Sequence, residues 1–241
     1  MKGLLKPCFI AIVFFLPAGT WMTSFSQQPA YPEIFGNDWK KAEDFIVQNE
    51  SWIKPVLRKY DIGFNEAMAI IFPELVRYSA LRDRMEATLL KALYINLGKG
   101  YANFSIGHLQ MKPSFAELLG KGASELSAHR YSSLVRDSLD FNDIRDYRSS
   151  IVKDLEDARS QINYLVVFYK ICSKKFNLRK MDPEERIRFL ATAYNYGFFR
   201  SEKEIVSMSG KKFFTASLFP REYYSYSDIS VFWFRQNLGG K

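Results

Sequence analysis

Residues 65–75 read Asn65-Glu66-Ala67-Met68-Ala69-Ile70-Ile71-Phe72-Pro73-Glu74-Leu75. Asn65 is a residue type suited to an N-cap. From Ala67 to Phe72 every position is apolar, and a helix that is apolar all round belongs in a core. Pro73 has no backbone N–H and is expected to interrupt that helix. Glu74 therefore falls at the end of a buried helix or on a kinked extension of it. Desolvation disfavours the charged form of a carboxyl, so Glu74 is a candidate for a raised pKa. Taken alone, the ordinary alternative is a solvent-facing residue at a helix end.

Helical patterns lie on both sides of this stretch. Upstream, Asp38 can cap a helix running to about Lys59, with Ala42, Phe45, Ile46, Ile53, Val56 and Leu57 as its apolar stripe and a kink or break expected at Pro55. Downstream, Ser79 is read as the cap of a helix over 80–97, with Met85, Leu89 and Leu93 on one face and Gly98 and Gly100 ending it. Pro113 reads as the first residue of a helix carrying Phe115, Leu118 and Leu119 and stopped by Gly120 and Gly122. Residues 124–148 read as short helices. Residues 149–175 read as the longest single helix, on the stripe Ile151, Leu155, Ala158, Ile162, Leu165, Val166 and Tyr169. Asp182, Pro183 and Glu185 form a capping box with proline at N1, opening a helix that ends at Gly197. The expected fold is mainly α, with at most a small hairpin near 98–110. Aromatic clusters stand at Phe213-Phe214 and over 223–234.

The 241-residue chain begins with Lys2 and Lys6, an apolar run from Cys8 to Leu16, and the small residues of Ser24-Phe25-Ser26. This is the three-part pattern of a secretory signal, with cleavage expected near Ser26. Export to the periplasm or cell envelope is the corresponding expectation. Residues 1–26 are read as the signal peptide, 27–60 as an N-terminal extension with a helix, and 61–241 as the main domain. Without the signal only Cys172 remains, and Val166, Val167, Phe168 and Ile171 mark it as a buried structural thiol. With 34 basic and 26 acidic side chains the formal charge is +8. That surface suits an anionic polymer. The basic residues are dispersed, without the dense block expected of a nucleic-acid binder. Two histidines, His108 and His129, with one cysteine form no recognisable metal-ligand set, and no metal or other cofactor is expected.

Three segments can carry chemistry. The first is Ile70 to Leu75 with Glu74. The second is Ser105-Ile106-Gly107-His108-Leu109-Gln110-Met111-Lys112-Pro113-Ser114-Phe115-Ala116. There Gly107 permits an unusual backbone angle or close approach to a ligand, and Gln110 offers an uncharged donor and acceptor just before a helix. The third is Ala191-Thr192-Ala193-Tyr194-Asn195-Tyr196-Gly197, which places Tyr194 and Asn195 in a last helical turn. Read singly, the second is an ordinary loop and the third a core tyrosine beside a C-cap.

In this order the three segments resemble the soluble lytic transglycosylase family of the lysozyme-like superfamily, over roughly residues 60–200. That family has a catalytic Glu at the end of a buried helix, then Gly-Leu-Met-Gln-x-x-Pro-x-Thr-Ala, then Ala-x-Tyr-Asn-Ala-Gly. Gly107, Gln110, Pro113 and Ala116 match the second pattern, and Tyr194, Asn195 and Gly197 the third. Leu75 stands where the family has Ser, His108-Leu109 where it has Leu-Met, and Phe115 where it has Thr. The resemblance implies a lysozyme-like α domain with additional helices, acting as a monomer on peptidoglycan glycan strands, with envelope-machinery proteins as further partners. It implies that Glu74 serves as both acid and base, that Gly107, Gln110 and Asn195 bind substrate, that Tyr194 steadies the carboxylate or the bound sugar, and that a 1,6-anhydro end is formed; His108, a departure from the family at a cleft position, either contacts substrate or sits exposed. A lysozyme-type hydrolase, a glycan-binding module without turnover and an envelope scaffold stay open as alternatives. Asp61 and Asp83 are the nearest acids on either side of Glu74.

Overall fold

The chain is described by a computed structural model covering residues 29–81, 87–126, 129–217 and 221–238. The signal-peptide expectation, Asp83 and Met85 lie outside these residues. The apolar stretch at 67–72 forms the interior of a helix, α3 (Phe64–Leu81), whose residues 67–72 are at most 1% exposed. Three helices pack around it. α1 (Tyr31–Phe35) leads into α2 (Asn37–Lys59), and α3 packs against α2, α9 (Pro183–Tyr196) and α11 (Tyr226–Asn237). Aromatic rings fill the junction: Trp39 of α2 meets Phe72 edge-on at 4.5 Å, and Phe72 stacks on Trp233 of α11 at 5.1 Å. Such ring pairs add about 0.5–1.5 kcal/mol beyond area burial. α9 and α11 are further tied by Arg188–Asp228 and Arg235–Glu184 ion pairs, and α9 to α3 by Arg186–Glu66 at 2.5 Å.

A second group comprises α4 (Ala87–Leu97), α5 (Pro113–Ser124), α6 (His129–Ser132), α7 (Ile144–Glu156) and α8 (Ala158–Lys175), with α5, α7 and α8 packed on one another and α4 on α7. α10 (Glu202–Met208) packs on α9. Tyr31–Lys241 clusters as one compact unit. No helix among the described residues is long and apolar enough to cross a membrane. The mainly helical class read from the sequence is what the structure has.

Several boundaries differ from the expectation. Neither Pro55 nor Pro73 ends its helix: α2 and α3 run through them. Glu74 is thus in a helix interior. Pro73 removes the donor that Ala69 O would accept, and at the next carbonyl the Tyr226 hydroxyl donates to Ile70 O at 3.1 Å, linking α11 to this turn. Asp38 is not a cap, since α2 starts after Gly36. Its carboxylate accepts the Ser79 hydroxyl at 2.9 Å, and Ser79 itself lies inside α3. Asn65 is likewise within α3 and donates to Asn237 O.

On α4 the buried residue is Tyr94, while Leu89 is 63% exposed and Leu93 only half-buried. α5 continues through Gly120 and Gly122; a Cβ on Gly120 would lie 2.0 Å from Arg136 O, so that glycine permits backbone contact instead of stopping the helix. The helix expected over 149–175 is two, α7 and α8, divided at Asp157, whose side chain accepts Ser160 N as the N-cap of α8. At 98–110 there is one antiparallel bridge, Ile106–Met111. The two-stranded sheet lies elsewhere, with β1 (Lys212–Phe214) antiparallel to β2 (Tyr224–Ser225) in the register Lys212↔Ser225, Phe214↔Tyr224.

Candidate active-site cleft

Glu74 is 4% exposed and lines a cleft of about 240 Å³. The cleft is walled by α3 (Glu74, Arg77), by the 98–112 loop and start of α5 (among them Gln110 and Lys112), and by the end of α9 (Tyr194, Asn195, Tyr196). Residues from all three segments singled out in the sequence therefore share one cavity. Each reaches it for a different local reason.

Glu74 is held by the residue one helical turn on. Arg77 Nη1 lies 3.0 and 2.9 Å from its two carboxylate oxygens, the spacing at which i and i+3 side chains meet. Burial pushes the Glu74 carboxyl above its ordinary range, while Arg77 and Lys112 pull it down without cancelling that effect. The carboxyl thus stands between two opposing influences, burial and its cationic neighbours. Sequence reasoning missed Arg77. The Glu-x-x-Arg spacing was visible, but only a helix continuous through Pro73 gives it meaning.

The 106–111 loop is fixed from three sides. Ile106 and Met111 exchange backbone hydrogen bonds at 2.9 and 3.1 Å. Gln161 of α8, wholly buried, donates to Ile106 O at 2.8 Å and accepts Leu109 N at 3.1 Å. The Tyr194 hydroxyl donates to Leu109 O at 2.8 Å. Within this frame Gln110 has φ +48°, a left-handed conformation that is unfavourable for a side-chain-bearing residue. Its Nε2 donates to Gly107 O at 2.9 Å. Strain of this kind, of order 1–3 kcal/mol, persists where neighbours over-determine it and gathers at functional sites. Gln161 also escaped the sequence reading; a lone amide within the stripe of α8 was its signal.

Tyr194 is 7% exposed, and its hydroxyl is committed to Leu109 O and not to the Glu74 carboxylate that the resemblance suggested as one partner. Burial, with the nearby Glu74 charge, holds the phenol well above its usual pKa, so it remains protonated. Asn195 is exposed on the cleft wall and, with Tyr196, also lines an adjoining depression of about 220 Å³ that includes Lys211, Phe213 and Tyr226.

Gly107 and His108 are not on the cleft. Gly107 has φ +68°, and a Cβ there would meet Leu155 O at 2.3 Å and Gln161 Nε2 at 2.7 Å. Its bare backbone fits against α7 and α8. His108 packs between Phe45 and Tyr78, with ring centroids at 4.7 and 4.3 Å, and lines a separate depression with Lys41 and Asp44. Asp61 is exposed at the end of α2 and is absent from the cleft wall.

No family model, curated protein or solved structure matches this chain. The chemistry must be read from the cleft. A buried carboxyl with its proton affinity raised can donate to a leaving oxygen. Gln110 and Asn195 offer uncharged donors and acceptors, and the rings of Tyr196 and half-exposed Phe199 offer apolar faces. Among the described residues no group of three or more His, Cys, Asp or Glu is placed to hold a metal ion. Cys172 is buried in α8, where burial raises its thiol pKa far above the usual value, leaving it a neutral packing group.

Proposed function

We propose that this protein is a lytic transglycosylase of peptidoglycan, cleaving the β-1,4 bond between MurNAc and GlcNAc with Glu74 as general acid and base. The observation that carries the reading is the burial of Glu74 on a cleft whose other walls are the two segments, around Gln110 and Tyr194, that accompany it in the family the sequence resembles. The lysozyme-like architecture and the action on cell wall belong to the same proposal. Glu74 is the one carboxylate among the described residues lining the cleft, so both proton transfers fall to it. Its proton passes to the glycosidic oxygen as the C1–O bond breaks. The sugar's C6 hydroxyl then bonds to C1 and returns a proton to Glu74, closing a 1,6-anhydro ring. The intramolecular hydroxyl has a large effective-concentration advantage over water.

One observation favours a second reading, glycan binding without turnover. Arg77 pairs with Glu74 directly and favours the ionised carboxylate. Mass spectrometry of purified peptidoglycan incubated with the protein separates the two. Released ends lighter by one water than reducing ends support the transglycosylase. Reducing ends point to a hydrolase, and binding without release to the second reading. Glu74→Gln, which keeps size but cannot donate a carboxylic proton, is expected to lower turnover at least 10²–10⁴-fold with unchanged circular dichroism. Retention of a tenth of the rate would remove Glu74 from the acid role.

A further inference from the structure

We infer that Arg77 is a positioning residue for the Glu74 carboxyl, held in place by the C-terminal segment that carries Phe214 and Thr215. The inference rests on the reading of Glu74 as the proton donor and extends it to how that donor is aimed. One guanidinium nitrogen, Nη1, spans both carboxylate oxygens at 3.0 and 2.9 Å. That contact fixes the carboxyl plane relative to α3. The opposite edge of the guanidinium is engaged elsewhere. Arg77 Nε donates to Thr215 O at 3.3 Å, and the group lies 4.4 Å from the centroid of Phe214. Phe214 is 1% exposed and held by β1–β2 pairing with Tyr224 and by edge contacts with Phe35 and Tyr226 at 6.1 and 5.7 Å. A guanidinium clamped on its far side cannot swing freely, so the carboxyl it holds has one orientation. Lysine, a point charge on a flexible stem, supplies the charge to Glu74 but has no second nitrogen for Thr215 O and no planar face for Phe214.

The clamp also sets the protonation range of the acid. The groups acting on Glu74 are Arg77 from its own helix and Lys112 from the loop, while the neutral phenols of Tyr194 on α9 and Tyr226 on α11 feel its charge in turn. Both cations favour the carboxylate and oppose its burial. Removing Arg77 takes away the nearer one, so the carboxyl binds its proton more tightly and stays an acid to higher pH. A single opposite charge in contact is worth ~1–3 pH units.

The test uses the full chain labelled with 13C at glutamate carboxyls, with the Glu74 resonance assigned by its loss in Glu74→Gln. In Arg77→Gln the titration midpoint of Glu74 is expected to rise by about 1 pH unit or more. In Arg77→Lys it should stay nearer the wild-type value. In turnover assays the alkaline limb of kcat/KM should move up with the midpoint in Arg77→Gln. Arg77→Lys, which lacks that second nitrogen and planar face, should lose kcat with little change in KM. A Glu74 midpoint unmoved in Arg77→Gln overturns the inference, as does an Arg77→Lys enzyme with full kcat. The carboxyl titration needs no substrate, so it judges the clamp even if the glycan reading fails.

Discussion

Burial and an ion pair act on the Glu74 carboxyl in opposite directions, and burial prevails. A carboxyl whose folded pKa exceeds its unfolded one holds more protons in the native state between those two values. Stability then falls as pH rises through that interval, and the full cost is present above it. The cost is ~1.4 kcal/mol per unit of displacement. Glu74→Gln removes the titrating group and is therefore expected to be more stable than wild type at neutral pH. Its advantage should shrink to nothing as pH falls to about 4, where the unfolded-state carboxyl also protonates. Urea midpoints over a pH series check this; an advantage that grows toward acid would contradict it. Gly107 illustrates a different residue-level constraint. Alanine there would adopt a left-handed φ, costing ~1–2 kcal/mol, and would press its Cβ against the Leu155 carbonyl at 2.3 Å. Gly107→Ala should lose more than that amount in chemical unfolding, whereas Gly100→Ala, with open space around it, should be close to neutral.

At the scale of elements, local chemistry explains most helix ends. α9 carries its own start signal. Asp182 Oδ1 accepts Glu184 N and Glu185 N at 2.9 Å, and Glu185 Oε2 in turn accepts Asp182 N at 3.2 Å. Because this box sits at the exposed far end of the helix from Tyr194, Asp182→Ala should cost about 1 kcal/mol and leave the Glu74 cleft unchanged. For a unit of this size that is a fall of ~2–4 °C in Tm, readable by calorimetry. Interior positions are less locally determined. Pro73 would end an isolated helix, yet α3 continues because its neighbours α2, α9 and α11 bury it on several sides. The break at Asp157 has the opposite cause. The apolar stripe continues from Leu155 to Ile162 with no change of pattern, and only the capping bonds of Asp157 to Ser160 reveal where one helix becomes two.

At the scale of the molecule, α11 closes the structure around α3 and α9. It contributes Tyr226, Ile229, Val231, Trp233 and Phe234, all at most 6% exposed. Each such side chain is worth ~1.5–3 kcal/mol on burial, and domain stabilities are only ~5–15 kcal/mol. A chain truncated after Ser209 should therefore lose its cooperative thermal transition, with collapsed amide dispersion in NMR. A sharp, wild-type-like transition in that variant would show that α1–α10 form a self-sufficient core. The same truncation removes Phe214 and Thr215, so Arg77 would lose its anchor together with the core.

The mainly helical class, the buried character of 67–72, the α9 capping box and the proline start of α5 follow from the sequence alone. Each depends on residues within a few positions of one another, where propensity, periodicity and capping act. The order of the three segments also pointed to Glu74, Gln110, Tyr194 and Asn195 as a group. Whether they meet was a matter of tertiary structure, which brings them to one cleft and sends His108 to a pocket between Phe45 and Tyr78. Gly107, read as permitting either an unusual backbone angle or close approach to a ligand, has the left-handed angle and lies against Leu155 O and Gln161. Arg77, Gln161 and the Phe214–Thr215 anchor became visible only when distant segments were packed together. Their partners lie 3, 52, 55 and 138 positions away, and even the nearest needed α3 to persist through a proline. Burial and long-range hydrogen bonding are properties of the packed chain, and no window of sequence contains them.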